Sequence, residues 1–390
     1  MVLASRSILF VGFLVVLCGH RVYANGCYSS IISFGDSIAD TGNLKQMASS
    51  SDVKFSCGPP YGQNFISRSA TGRCSNGRLI IDFLAESLGL PLVPPYFNDN
   101  GSGVEAGFRQ GVNYAVGGAT AMDSSFMEAI WPERPVINAS LRVQLSWFKQ
   151  SLSSICGNVS DCRNFIGQSL ILMGEIGGND YNHPLSAGKP LDEIKPYVPL
   201  VIDTIVSVIN ELIEMGVRTL VVPGNFPVGC FPSTLSIYGS DSEEYDPITG
   251  CLTKLNEFVE YHNTMLQAKL DQIRELNPNV TVMYADYYNS IMQAYHSPYE
   301  YGFTSNGTRK TCCGYGEPFN FSLAKKCGDS SVKVCDEPDA YVSWDGIHLT
   351  EAAYKLIFKS LFQGPYTTPA FNSLCPTSSS HAKVGLSSSI

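Results

Sequence analysis

Short apolar runs bounded by glycine, asparagine or aspartate recur along the chain, as is typical of strands buried on both faces of a sheet. These runs are residues 30–34, 112–116, 170–173, 219–222 and 280–284. Longer segments between and after them repeat apolar residues at helical spacing. The helical segments are residues 79–88, 141–152, 200–215, 251–276 and 349–361. The alternation predicts an α/β fold in which helices cover both faces of a parallel sheet.

The N-terminal segment departs from this pattern. Residues 8–18 form an apolar run after Arg6 that is too short to cross a bilayer comfortably. Val22 and Ala24 are small residues at the positions that precede a signal-peptide cleavage site. We therefore predict a signal peptide over residues 1–24, with a retained N-terminal anchor as the alternative.

The rest of the chain contains no linker-like change in composition, no heptads and no internal repeat, which predicts one domain over residues 25–365. The serine-rich end predicts a disordered tail over residues 366–390.

The net charge is −9, and no run of lysine or arginine offers a basic surface, which argues against nucleic-acid binding. No later stretch has the length of a transmembrane helix, so no stable membrane anchor is expected. Nothing indicates the oligomeric state, and a monomer is the expectation.

The cysteines indicate an oxidising compartment. Of the 13 cysteines, Cys18 lies in the predicted signal peptide, and the even number that remains predicts disulfides. Close spacing favours the pairs Cys57 with Cys74, Cys156 with Cys162 and Cys230 with Cys251. A further cluster holds Cys312, Cys313, Cys327 and Cys335, whose connectivity the sequence leaves open. A zinc site is the alternative for this cluster, but neither Cys-x-x-Cys spacing nor a nearby histidine supports it.

Six Asn-x-Ser/Thr sequons are consistent with a glycosylated product of the secretory pathway that is exported from the cell or held in a vacuole. They begin at Asn100, Asn138, Asn158, Asn279, Asn306 and Asn320. For any single sequon, an unmodified surface asparagine is the alternative.

Polar residues follow the ends of the first three predicted strands. Ser37 follows the first strand, Gly118 the second and Asn179 the third. Because carboxyl ends of parallel strands meet at one edge of a sheet, we expect these three residues to lie close together. The loop that contains Asp345 and His348 comes directly before the last helical segment and can reach the same edge.

This set of residues fits acyl-transfer chemistry. A serine hydroxyl needs a neighbouring base, and the base needs an acceptor that fixes its tautomer. His348 comes three residues after Asp345 in a short loop in which both side chains can face one cleft, so we predict Ser37 as nucleophile with Asp345 and His348 as its acid/base pair. His183 could also line the cleft. The other histidines, His262, His296 and His381, fit a helix, a loop and the tail.

Stabilisation of an oxyanion requires fixed donors. The backbone N–H groups of Ser37, which we expect to open a helix, and of Gly118 are candidates, and so is the side-chain amide of Asn179. Asp36 and Asp40 are interpreted as supports for the turn and for a helix start. No metal site and no organic cofactor are predicted.

Four ordered segments carry a family resemblance: residues 34–43 (FGDSIADTGN), 112–119 (VNYAVGGA), 178–180 (GND) and 345–348 (DGIH). Together they resemble the conserved blocks of the GDSL esterase/lipase family within the SGNH hydrolases. Residues 60–65 (PYGQNF), 71–83 (TGRCSNGRLIIDF), 222–230 (VPGNFPVGC) and 285–288 (ADYY) resemble its plant branch in particular.

The resemblance implies a flavodoxin-like three-layer sandwich with a five-stranded parallel sheet. It also implies that Ser37 is the nucleophile, that Gly118 and Asn179 are oxyanion donors, and that Asp345 and His348 are the acid/base pair. Plant members act as lipases, acetylxylan esterases, sinapine esterases, acetyl-alkaloid esterases such as acetylajmalan esterase, and acyltransferases. The layout resembles the esterases of small metabolites, so we expect a small-molecule ester as substrate, with loops 122–131 and 181–185 lining the pocket. The alternatives are an acyltransferase with the same residues and a lipase or acetylxylan esterase that acts on lipid or cell-wall esters. A binding protein on an inactive hydrolase scaffold is a further rival hypothesis.

Overall fold

The structure is a computed structural model that describes residues 27–49, 57–97, 108–131 and 137–371. The predicted signal peptide, the sequon at Asn100 and residues 372–390 of the predicted tail lie outside these ranges.

The strands within the described residues form one large sheet and one small one. They are β1 Ser30–Ser33, β2 Gly111–Asn113, β3 Ser169–Leu172, β4 Thr219–Pro223, β5 Thr281–Ala285, β6 Cys313–Gly314, β7 Lys333–Val334 and β8 Thr367–Thr368. The large sheet has the order β2-β1-β3-β4-β5-β8. Its first five strands are parallel, and β8 pairs antiparallel with β5. Strands β1 and β3 are buried along their whole length, which is why they read as apolar runs.

Helices cover both faces of this sheet. They are α1 Asn43–Ser49, α2 Ile80–Ser87, α3 Ser124–Ile130, α4 Leu141–Ile155, α5 Val159–Gln168, α6 Gly178–Ser186, α7 Leu191–Ile194, α8 Tyr197–Met215, α9 Pro232–Tyr238, α10 Thr253–Leu276, α11 Tyr287–His296, α12 Ser305–Arg309 and α13 Glu351–Phe358. Helix α8 packs against α4 and α10, whereas α13 packs against α2 and α11. The result is the expected three-layer α/β sandwich, with the strand order 2-1-3-4-5 of flavodoxin-like folds.

The domain extends further than the sequence indicates. Thr367 and Thr368 pair with Ala285 and Tyr284 of β5, and Phe371 is buried against the core. The predicted boundary at residue 365 is therefore too early, and the five-stranded sheet gains a sixth strand. Two threonines carry no apolar run, so the pattern of buried residues could not reveal this short edge strand.

Five disulfides lie within the described residues. The three pairs favoured by spacing, Cys57–Cys74, Cys156–Cys162 and Cys230–Cys251, are present. The cysteine cluster forms Cys312–Cys335 and Cys313–Cys327. No helix in the described ranges is long and apolar enough to cross a membrane.

Candidate active site

Ser37 lies in a tight turn after β1. The carbonyl of Asp36 accepts hydrogen bonds from the N–H groups of Ala39 and Asp40, which closes a single helical turn around Ser37. The following helix begins only at Asn43. The expectation that Ser37 opens a helix is therefore wrong, because the chain leaves the helical path after this one turn.

The approach to this turn depends on Gly35, whose φ of +133° favours glycine. A Cβ atom at this position would lie 2.9 Å from the carbonyl oxygen of Glu175. The side chain of Gln144, on the buried face of α4, accepts a bond from the Gly35 N–H at 2.9 Å and donates to the Gly35 carbonyl at 2.8 Å. Gln144 thus holds the peptide that precedes the turn around Ser37, a role that the sequence analysis missed.

His348 connects Ser37 to Asp345. Its Nε2 lies 2.8 Å from the Ser37 hydroxyl, and its Nδ1 lies 2.6 Å from a carboxylate oxygen of Asp345. The other oxygen of Asp345 accepts the backbone N–H groups of Ile347 and His348 at 3.0 and 2.8 Å. The structure therefore brings together the three residues that the sequence placed at positions 37, 345 and 348.

Tyr61 completes the surroundings of Asp345. Its hydroxyl donates to Asp345 at 2.7 Å, while its ring packs edge-on against Trp344. Burial and the charge of Asp345 raise the pKa of Tyr61 well above its usual value, so this hydroxyl remains a donor. Burial alone would raise the pKa of Asp345, but His348 and the two backbone donors lower it below its ordinary value. Asp345 is thus held as a carboxylate.

Gly118 follows β2 with a φ of +81° and lines the same cavity as Ser37. The preceding N–H, of Gly117, donates to Asp40 at 2.8 Å, and Asp40 also accepts three N–H groups at the start of α1. Asp40 therefore does more than start a helix, because it joins the loop after β1 to the loop after β2. Within the described residues, the N–H groups of Ser37 and Gly118 donate to no protein acceptor.

Asn179 lies in the first turn of α6 and faces the cavity. Its Nδ2 donates to Asp36 at 2.9 Å and to the carbonyl of Ala119 at 3.0 Å. Both amide protons of Asn179 thus have acceptors in the resting site. Donation from Asn179 to an oxyanion requires one of these protons to be shared.

Three buried carboxyl groups, those of Asp36, Glu175 and Asp180, lie beneath the cavity. Within the described residues, none of them pairs with a lysine or arginine at 4.0 Å or less. Burial, together with the charge and hydrogen bond of Glu175, raises the pKa of Asp36 well above its ordinary value. Burial also raises the pKa of Asp180 to about 7, against the effect of hydrogen bonds from the Met122 and Ala121 N–H groups.

The cavity at the site has a volume of about 370 Å³. His183 lines it, stacked on Trp131, but most of the expected lining from loops 122–131 and 181–185 lies elsewhere. One wall instead comes from residues 321–327, beside the disulfide Cys313–Cys327. Wider depressions of about 550 Å³ elsewhere on the molecule contain neither Ser37 nor His348.

The other sequence-predicted positions lie outside the cavity. His262 is buried in α10, where its Nδ1 faces the Tyr181 hydroxyl at 2.8 Å, and His296 ends α11. The described sequons with exposed asparagines are Asn138, Asn158, Asn279 and Asn306. Asn320 is half-buried and donates from Nδ2 to the carbonyl of Thr311. No cluster of histidine, cysteine, aspartate or glutamate in the described ranges is arranged to hold a metal ion.

The chain is similar to known proteins over nearly its whole length. A family model described as GDSL-like Lipase/Acylhydrolase matches residues 31–361. A GDSL esterase/lipase of Arabidopsis thaliana is 52% identical over 352 residues, which cover 90% of this chain and 89% of the relative. Another from the same plant is 53% identical over 353 residues, covering 90% of this chain and 88% of the relative. The chain therefore belongs to the GDSL esterase/lipase family of carboxylic ester hydrolases.

Proposed function

We propose that the protein hydrolyses the ester of a small molecule through an acyl-enzyme on Ser37. The observation that carries the proposal is the unbroken series of hydrogen bonds from Ser37 through His348 to Asp345, at the floor of a cavity of about 370 Å³. A serine, a base and an orienting carboxylate in this order are what acyl transfer requires.

In the first half of the reaction, His348 accepts the hydroxyl proton of Ser37 on Nε2 as the serine oxygen attacks the ester carbonyl. Asp345 accepts from Nδ1, fixes the tautomer of the imidazole and stabilises the imidazolium that forms. The tetrahedral intermediate then collapses, the carbon–oxygen bond of the alcohol breaks, and His348 gives its proton to the departing alcohol.

The developing negative charge needs donors that are already in place. The free N–H groups of Ser37 and Gly118 supply two. Asn179 supplies a third when one of its amide protons is shared between its resting acceptor and the oxyanion. In the second half of the reaction, His348 removes a proton from a water molecule as this water attacks the carbonyl of the acyl-enzyme. His348 then returns the proton to the Ser37 oxygen as the bond to the acid breaks.

The size of the cavity supports a small molecule as the substrate, since pockets for such ligands begin at about 300 Å³. An acyltransferase would use the same residues but accept a second alcohol in place of water. Product analysis with and without that alcohol distinguishes the two reactions, because only a transferase forms a new ester.

Replacement of Ser37 by alanine tests the proposal. We expect S37A to lose at least about a thousandfold in kcat on short-chain p-nitrophenyl esters. It should also lose labelling by a fluorophosphonate, with an unchanged melting temperature. The control is S153A, which removes an exposed serine hydroxyl from α4 and should behave like the unaltered protein. Retained turnover or labelling in folded S37A would exclude Ser37 as the nucleophile.

Production of the protein for this experiment also tests the proposed secretory location. The disulfides and the exposed sequons support that location. Expressed in insect cells with residues 1–24 in place, it should be recovered from the medium, and its mass should fall on treatment with peptide N-glycosidase. Retention inside the cell without glycans would contradict a secretory route.

A further inference from the structure

The cavity has an apolar body. Leu44 and Ile137 line one side, and Phe321, Leu323 and Ile347 line the other. Leu323 and Ile347 are 63% and 45% exposed, so part of this apolar lining is in contact with water. A ligand with an aromatic or aliphatic body would cover these surfaces and gain from their burial.

Positive charge predominates among the charged residues that line the cavity. Lys325 and Lys326 are the lysines among them, and Asp345 is the one carboxylate that the described lining residues contribute. The Asp345 carboxylate accepts from Tyr61, His348 and two backbone N–H groups, so it does not neutralise the lysines. The cavity thus offers positive charge at one end although the chain as a whole carries −9.

Lys325 is held at this place by its neighbours. Its ammonium lies 4.0 Å from the centre of the Tyr315 ring, a cation–π contact that restrains the side chain. The side chain is half-buried, and no carboxylate of the described residues lies within 4.0 Å of it. The disulfide Cys313–Cys327 closes the segment that carries it and limits how far the segment can move.

A half-buried cation without an ion-pair partner interacts favourably with an anion that reaches it. This contact is stronger than one on an open surface, because water competes less. An ester with a cationic head would meet repulsion from the same group.

We propose that the natural ester carries a carboxylate on an apolar or aromatic body, at the end remote from the scissile bond, and that Lys325 binds this carboxylate at the mouth of the cavity. The inference rests on the proposed function, since it assigns the substrate class of the same site. Lys325 is a specificity residue, and the hydrolysis steps at Ser37 do not require it.

The test compares substrates that differ by one charge. The first pair is 4-acetoxyphenylacetate and its neutral amide, in which the carboxylate is on the alcohol side. The second pair is phenyl hydrogen glutarate and phenyl butyrate, in which it is on the acyl side. Acetylcholine supplies the cationic case. 4-Acetoxyphenyl sulfate, an acetate with a sulfate in place of the remote carboxylate, distinguishes a general anion site from a carboxylate site.

We expect kcat/KM for the carboxylate member of at least one pair to exceed that of its neutral partner about tenfold. The increase in kcat/KM for the acetate with a sulfate should be smaller. The gain should lie in KM and should shrink between 20 mM and 500 mM salt, because salt screens the contact. K325A should abolish the preference, which is measured as the ratio of kcat/KM within each pair, so that any effect of the substitution on hydrolysis itself cancels. K325E should reverse the preference. The matched control is K333A, which removes an exposed lysine from β7 in the same cysteine-rich region and should keep the preference.

Equal kcat/KM within both pairs, or a preference that survives K325A, would overturn the proposal, as would efficient hydrolysis of acetylcholine. Phenyl acetate separates this failure from failure of the proposed function, since it reports hydrolysis without a remote charge. If no ester is hydrolysed, calorimetric titration with 4-hydroxyphenylacetate and its amide still decides the matter. Binding of the acid that K325A removes would support the anion site, and equal binding of acid and amide would refute it.

Discussion

Asp345 holds His348 in position, and its own orientation depends on donors from two parts of the chain. Two backbone N–H groups of its loop fix one oxygen, whereas Tyr61 and His348 share the other. Tyr61 is 284 residues away in the sequence. Spacing within a loop was enough to predict Asp345 and His348 as a pair, but a tyrosine in a distant turn carries no local sign of its partner.

Tyr61→Phe removes the hydroxyl and keeps the ring against Trp344. With one donor fewer, the carboxylate of Asp345 is held less firmly, and the imidazolium of His348 is stabilised less. We expect kcat to fall about tenfold with KM changed by less than about twofold. Kinetics on phenyl acetate measure this, with Tyr299→Phe, at a tyrosine that is 73% exposed, as the control. An unchanged kcat in Y61F would mean that Tyr61 has no part in positioning Asp345.

At the scale of the elements, the pattern of apolar residues predicted the longer strands and helices. Strands β1 to β5 and helices α2, α4, α8, α10 and α13 begin and end within a few residues of their predicted limits. Strand β8 has two threonines and could not be recognised. The wall at residues 321–327 was also missed, because its position follows from the disulfides of the cysteine cluster, whose connectivity the sequence leaves open.

Helix α4 contains a signal that the sequence analysis did not use. Gln144 lies next to Leu141, Leu145 and Phe148 on the buried face, and a polar side chain at an apolar position indicates a buried partner. The partners are the N–H and carbonyl of Gly35, before the turn around Ser37, and the carbonyl of Ala139. The helix therefore supports the site as well as the core.

Gln144→Met keeps the approximate volume but removes these hydrogen bonds. Each buried group that is left without a partner costs about 1–3 kcal/mol. We expect the melting temperature to fall by about 3 °C or more, since an unfolding entropy of about 2.1 cal/mol/K per residue gives about 1.4 °C for each kcal/mol in a domain of roughly 340 residues. Thermal unfolding followed by circular dichroism measures the shift. Gln150→Met, at an exposed position of the same helix, should change it by less than about 1 °C. If both variants melt alike, Gln144 does not stabilise the turn.

At the scale of the whole molecule, buried ionisable groups link stability to pH in opposite directions. Burial raises the pKa of Asp180 to about 7, from an ordinary value of 3.8. Burial lowers the pKa of His262 to about 3, from 6.5. Between pH 4 and 7 the folded protein holds a proton on Asp180 that the unfolded chain has lost, so this contribution to stability is full below pH 4 and is lost as the pH rises through 7. His262 has the reverse effect, because only the unfolded chain gains a proton on it as the pH falls from 6.5 towards 3.

Two variants separate these contributions. Asp180→Asn is neutral at every pH and keeps one of the two oxygens that accept from the Ala121 and Met122 N–H groups, so one of these bonds is lost at every pH alike. Its loss of stability relative to the unaltered protein should therefore be greatest near pH 4 and shrink towards pH 8. His262→Gln retains an acceptor for the Tyr181 hydroxyl, and its loss should be greatest near pH 7 and shrink towards pH 4. Urea unfolding of the three proteins at pH 4, 5.5, 7 and 8 measures both differences. Because each variant is compared with the same parent, titration of the remaining carboxyl groups cancels, and the two differences must change in opposite directions with pH. Parallel changes would mean that burial does not shift these two pKa values as described.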